Sequence, residues 1–133
     1  MNIATKGKKY HWRVKIDKYE NEDDPCMNIG IIEANKAKDY LSTGWWIKPF
    51  GYSYFANGYI YNGSIDVAEY GKSHEPGDII DIWLDLKHDN NLSYAKNNEH
   101  FGKAFDIPND KQYRFALNVV SGTSIIQAFH VQY

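Results

Sequence analysis

A single cysteine, Cys26, stands in this chain of 133 residues. An intramolecular disulfide is excluded, and so is any metal site built on paired thiolates. Nor do the five histidines, at positions 11, 74, 88, 100 and 130, supply ligand pairs at helical or knuckle spacing. There is no basic stripe: the net charge is −2, and the only lysine cluster (Lys6, Lys8, Lys9) is short and precedes the first strand. Nucleic-acid binding needs a concentrated cationic patch and is not expected. No apolar run approaches a membrane span, and the N-terminus MNIATKGKK lacks the apolar centre of a secretion signal. The expectation is a cytoplasmic protein with no cofactor, no metal and no membrane contact. At this length one domain is the norm, burying roughly two-thirds of its unfolded surface without a staple.

Helical periodicity is almost missing as well. Alternation with period two dominates, the mark of half-buried strands. Tyr10, Trp12, Val14 and Ile16 form an apolar face backed by His11, Arg13, Lys15 and Asp17. In the second clear strand Ile80, Ile82, Leu84 and Leu86 face one way, and Ile79, Asp81, Trp83 and Asp85 the other. Ile29 to Ala34 reads as a central strand. Turns are marked by Asn57-Gly58, Asn62-Gly63, Pro76-Gly77-Asp78, Lys87 to Asn91, Asn97-Asn98 and Ser121 to Ser124. Two long loops are expected, Lys18 to Met27 and Asn35 to Pro49, the latter with one helical turn at Lys36 to Leu41. The fold class is all-β, an antiparallel β-sandwich. Its core is expected to hold Trp12, Val14, Ile82, Leu84, Leu117 and Val119.

Tests for catalysis fail. Asp81 and Asp85 share a strand face, but four residues at about 3.3 Å each put them roughly 13 Å apart. A glycosidase pair needs about 5–9.5 Å. They read as outward-facing strand carboxylates. The stretch Gly51-Tyr52-Ser53-Tyr54-Phe55 lacks the closing glycine and the strand–turn–helix setting of a nucleophile elbow. The acidic loop with Asp17, Glu20, Glu22, Asp23 and Asp24 lacks the alternation and central glycine of a calcium loop. No enzyme is expected.

Aromatic residues are the surplus. Tyr52 and Tyr54 belong in the core by alternation. Trp45 and Trp46 lie in a loop, and adjacent side chains cannot easily both point inward. One of them is expected to be partly exposed, as binding anchors are. The competing reading is that both plug the end of the sandwich.

The stretch from Pro76 to Phe105 runs Gly-Asp, apolar strand, Leu-Asp, turn, Leu-Ser-aromatic, Asn, Gly-x-Ala-Phe. This order resembles the SPRY domain. The resemblance extends to Tyr10-His11-Trp12-Arg13-Val14, to Asn28-Ile29-Gly30-Ile31-Ile32, to Gly51-Tyr52-Ser53-Tyr54, Gly63 and Tyr70-Gly71, and to the tail from Tyr113 to Val131. It implies a concanavalin-like jelly roll. It also implies a non-catalytic module that recognises a protein or peptide, as part of an adaptor or ubiquitin-ligase-type assembly. Residues 1–9 would be an N-terminal extension and 10–133 the domain. The strand material that the family carries upstream of the Trp12 strand is either absent here or trimmed away.

Relatives that bind short Asn-rich peptides use a tyrosine in the loop after the Ile-Gly strand and a Val-aromatic-Gly corner between the last two strands. The matching positions are Tyr40 and Val120, Ser121, Gly122. Serine replaces the aromatic, and the arginine-bearing upstream loop has no counterpart. The partner-binding site is therefore expected at Tyr40, Trp45, Trp46, Val120, Ser121 and Gly122. A carbohydrate platform of Trp45, Trp46 and Tyr59 is the alternative.

Overall fold

The computed structural model describes residues 3–18, 27–41, 44–63, 67–119 and 124–131. Ten strands and one helix follow in chain order. They are β1 (Lys9–Lys18), β2 (Met27–Glu33), α1 (Ala34–Tyr40), β3 (Gly51–Phe55), β4 (Tyr59–Tyr61), β5 (Val67–Glu69), β6 (Ile79–Asp85), β7 (Asn91–Lys96), β8 (Glu99–Asp106), β9 (Tyr113–Val119) and β10 (Ser124–Val131). A short 3-10 turn, Trp45–Ile47, lies between α1 and β3. The first sheet has the order β10-β1-β6-β7-β8 and the second β5-β4-β3-β2-β9. Every strand pair is antiparallel, as the all-β sandwich expectation required.

Alternation places the core. Tyr10, Trp12, Val14 and Ile16 of β1 meet Ile80, Ile82 and Leu84 of β6 on the inner face of the first sheet. Opposite them lie Met27, Ile29 and Ile31 of β2, Tyr52 and Tyr54 of β3, and Tyr113 of β9. Leu117 is only partly buried against this cluster. The Val119 side chain lies outside the described ones.

The turns follow their chemistry. Asn97 and Asn98 both adopt positive φ, 49° and 70°, in the two-residue reversal between β7 and β8. Both central residues of a type I′ turn need that conformation, and asparagine tolerates it. At Asn57-Gly58 only Gly58 is left-handed, φ 93°, and its N–H bonds the Phe55 carbonyl. That is the longer hairpin loop that ends in a left-handed glycine.

One reading changes on contact with the structure. Asp81 and Asp85 do face outward, but both are buried. His11 Nε2 lies 2.6 Å from Asp81 Oδ1, and Arg13 Nε donates to the same oxygen at 2.7 Å. A carboxylate can leave water when charged donors replace it. Asp85 accepts the backbone N–H groups of Lys87 and His88, each at 2.9 Å. His11 and His74 are buried. Before β1, Ala4 has no exposed surface and exchanges two backbone bonds with Tyr113. No helix among the described residues is long and apolar enough to cross a membrane.

Candidate functional site

The loop expected to follow the Ile-Gly strand is ordered into α1 and the 3-10 turn, and it folds over the outer face of the second sheet. Its anchor is Trp45, which has no exposed surface. Trp45 packs with Ile32 of β2, Ala37 of α1 and Ala116 of β9 in a second apolar cluster, separate from the main core. Gly51 permits this, because a Cβ there would lie 2.1 Å from the Trp45 carbonyl oxygen. The Trp45 indole Nε1 is buried with no acceptor among the described residues.

Trp46 meets Trp45 edge-on, ring centroids 6.1 Å apart, and stays half-buried. Beside it Ile47 is 44% exposed. Between the 3-10 turn and the sheet runs a groove of about 260 Å³, lined by Asn28, Trp46, Ile47, Phe55 and Tyr61. Three strands supply its floor. β2 gives Asn28, β3 gives Phe55 and β4 gives Tyr61, so the groove rests on rigid backbone. Ser53 Oγ donates to Asn28 Oδ1 at 3.2 Å and fixes that amide.

Tyr40 ends α1 and lies against Phe50, centroids 4.7 Å apart. The backbone N–H of Glu33 bonds the Phe50 carbonyl, so this pair sits where β2 ends. Trp46 is near Asn28, where β2 begins. Tyr40 and Trp46 both pack against the Trp45 cluster, but only Trp46 lines the groove.

Val120, Ser121 and Gly122 lie outside the described residues. The preceding residue, Val119, pairs with Met27, next to Asn28 of the groove.

Sequence reasoning missed Ile47, Phe55, Tyr61 and Asn28. Alternation could have found Phe55 and Tyr61: with Tyr52, Tyr54 and Ile60 inward, their neighbours must face out. On the outer face of the other sheet, Trp83 stacks between His11 and His100, at centroid distances of 4.5 and 4.7 Å. Among the described residues, no three His, Cys, Asp or Glu side chains gather as a metal site would require.

None of the curated proteins matches the chain. Among solved structures, the SPRY domain of human HERC1 superposes with a TM-score of 0.71 at 22% identity, over 94% of this chain and 75% of that one. A second human SPRY domain gives 0.69 at 15% identity, over 94% and 79%. At such identities the likeness speaks for the fold alone. The sequence profile of the SPRY domain matches residues 9–130. That span takes in every strand from β1 to β9 and most of β10, and the chain belongs to the SPRY domain family, whose members generally serve as protein-interaction modules.

Proposed function

We propose that this chain is a non-catalytic module that captures a protein or peptide through the surface formed by α1, the 3-10 turn and the outer face of the second sheet. The observation that carries this reading is the groove beneath Trp46 and Ile47. It offers an apolar trough on a rigid floor, rimmed by an aliphatic side chain that water solvates poorly. Burying such a rim against a partner is favourable at about 25 cal/mol per Å² of apolar area. A large aromatic and an exposed isoleucine side by side suit an apolar partner side chain.

Each residue has its own part. Trp46 and Ile47 make direct contact, and Tyr40 contributes at the far end of the same surface. Trp45 supports the turn from beneath. The corner Val120-Ser121-Gly122 stays in the proposed binding set on its sequence, since serine and glycine are small enough to suit close approach of a partner backbone. A sugar platform of Trp45, Trp46 and Tyr59 is disfavoured, since the buried Trp45 has no face to offer a ring.

Peptide display and a glycan array run on one sample test the reading. Selected peptides should lose binding to the Trp46→Ala and Ile47→Ala variants. Enrichment of glycans with no peptide selected would overturn it.

A further inference from the structure

On the other flank of α1 lies a second cavity, of about 370 Å³. Ala34, Ala37, Lys38 and Leu41 line it from the helix side, and Arg114 of β9 from the sheet. Its chemistry differs from that of the groove. Arg114 is half-buried, and its Nε is shielded from solvent with no acceptor among the described residues. Arg114 makes no ion pair among them either. A guanidinium N–H turned away from water without an acceptor costs free energy. Lys38 adds a second, exposed cation on the same cavity. The rest of the lining is aliphatic.

We propose that this cavity takes the carboxylate of an acidic side chain carried by the partner peptide. A carboxylate accepts two hydrogen bonds from one guanidinium edge, and the Nε–H is one donor of that fork. The aliphatic walls suit the methylene stem of a glutamate. Lys38 supplies attraction at the mouth without fixed geometry. Tyr40 and Leu41 follow one another at the end of α1, so the cavity adjoins the surface assigned above. The inference rests on the peptide-recognition reading for the source of the carboxylate, and it narrows that partner to an acidic segment.

The test uses the whole chain and a small probe, blocked glutamate (N-acetyl, N-methylamide), with blocked glutamine and inorganic phosphate as controls. The readout is the Nε–Hε signal of Arg114 in a nitrogen–proton spectrum, identified by its loss in Arg114→Lys. Blocked glutamate should shift that signal in a saturable way, and blocked glutamine should not. Lys38→Glu alters an exposed residue and should weaken the response about tenfold or more. In a selected peptide, Glu→Gln should weaken binding by about ten- to a hundredfold.

An Arg114 signal unmoved by blocked glutamate overturns the proposal. So does an equal shift with blocked glutamine, or a larger one with phosphate, which would mark a general anion site. A shift that grows with protein concentration and no probe would assign the cavity to a second copy of this chain. Trp46→Ala should leave the blocked-glutamate response unchanged. The cavity can therefore fail while the groove reading stands, and the reverse.

Discussion

Tyr94 of β7 donates its hydroxyl hydrogen to the backbone carbonyl of Ile29 in β2, at 2.8 Å, straight across the interior of the sandwich. The two residues belong to different sheets, so this bond joins the layers across the core. Burial raises the Tyr94 phenol well above its ordinary range, with the neighbouring Tyr70 and Tyr54 adding to the effect. The group stays a donor at any pH the fold survives. Tyr94→Phe keeps the ring against Tyr54, 5.0 Å away, and removes only the hydroxyl. The expected cost is about 1–2 kcal/mol. Thermal melting should fall by roughly 3–8 °C. An unchanged midpoint would show that the bond adds nothing net.

His74 gives the fold a pH dependence of known sign. It is buried against Tyr54, ring centroids 5.0 Å apart. Burial pushes its pKa down to about 3; Asp78 opposes the shift and Lys96 adds to it. The unfolded chain takes up a proton near pH 6.5, and the folded chain does not until near pH 3. Between those values the unfolded state holds more protons, so stability falls as pH falls. The slope from one such group is about 1.4 kcal/mol per pH unit. Denaturant titrations at pH 7, 5.5 and 4.5 read it. His74→Phe should flatten the slope, and an equal slope in that variant would assign it to other groups.

Gly30 explains the glycine of the Ile-Gly strand. It lies opposite Ser53 of β3, and a Cβ there would sit 1.7 Å from the Tyr52 carbonyl oxygen and 2.9 Å from the Ser53 Cα. Both are backbone atoms of a paired strand and cannot swing aside. Gly30→Ala should cost about 3 kcal/mol or prevent folding, the upper end of overpacking effects. Soluble yield and denaturant midpoint measure it. A variant as stable as the parent would mean that β2 and β3 can separate freely at this point.

The sequence made legible whatever repeats locally. β1 and β6 follow from alternation, because one face of each had to be apolar. The Asn97-Asn98 reversal follows from the few residues that accept positive φ. Asp81 was legible as outward-facing but not as buried. Its partners His11 and Arg13 stand about seventy residues earlier, and cross-strand register has no local signature. β5 was missed because three residues carry too little pattern to see. At the candidate site, the surplus of aromatics pointed to the loop that is ordered into α1 and the 3-10 turn. Alternation could not say which tryptophan turns inward, because a 3-10 turn follows neither strand nor helix period. The second cavity was invisible for a similar reason: Arg114 looks like any strand arginine until α1 covers it.

Trp45 and Trp46 are neighbours in sequence and opposites in role, and substitution separates them. Trp45 is fully enclosed by Ile32, Ala37 and Ala116. Trp45→Ala leaves a cavity and should cost about 3–5 kcal/mol, as other large buried aromatics do. Part of this is offset, since the variant also removes an indole N–H that lacks an acceptor. Trp46 and Ile47 stand at the rim of the groove. Trp46→Ala and Ile47→Ala should move the melting midpoint far less than Trp45→Ala does. They should weaken a selected peptide by tenfold or more, about 1.4 kcal/mol each. Tyr40→Ala should lower affinity less than Trp46→Ala does, because Tyr40 packs against the Trp45 cluster without lining the groove. Melting curves and calorimetric titrations on the four variants decide the matter. If Trp46→Ala and Ile47→Ala keep full affinity while the fold persists, the partner docks elsewhere, and the outer face bearing Asp81, Trp83 and Asp85 becomes the surface to mutate next.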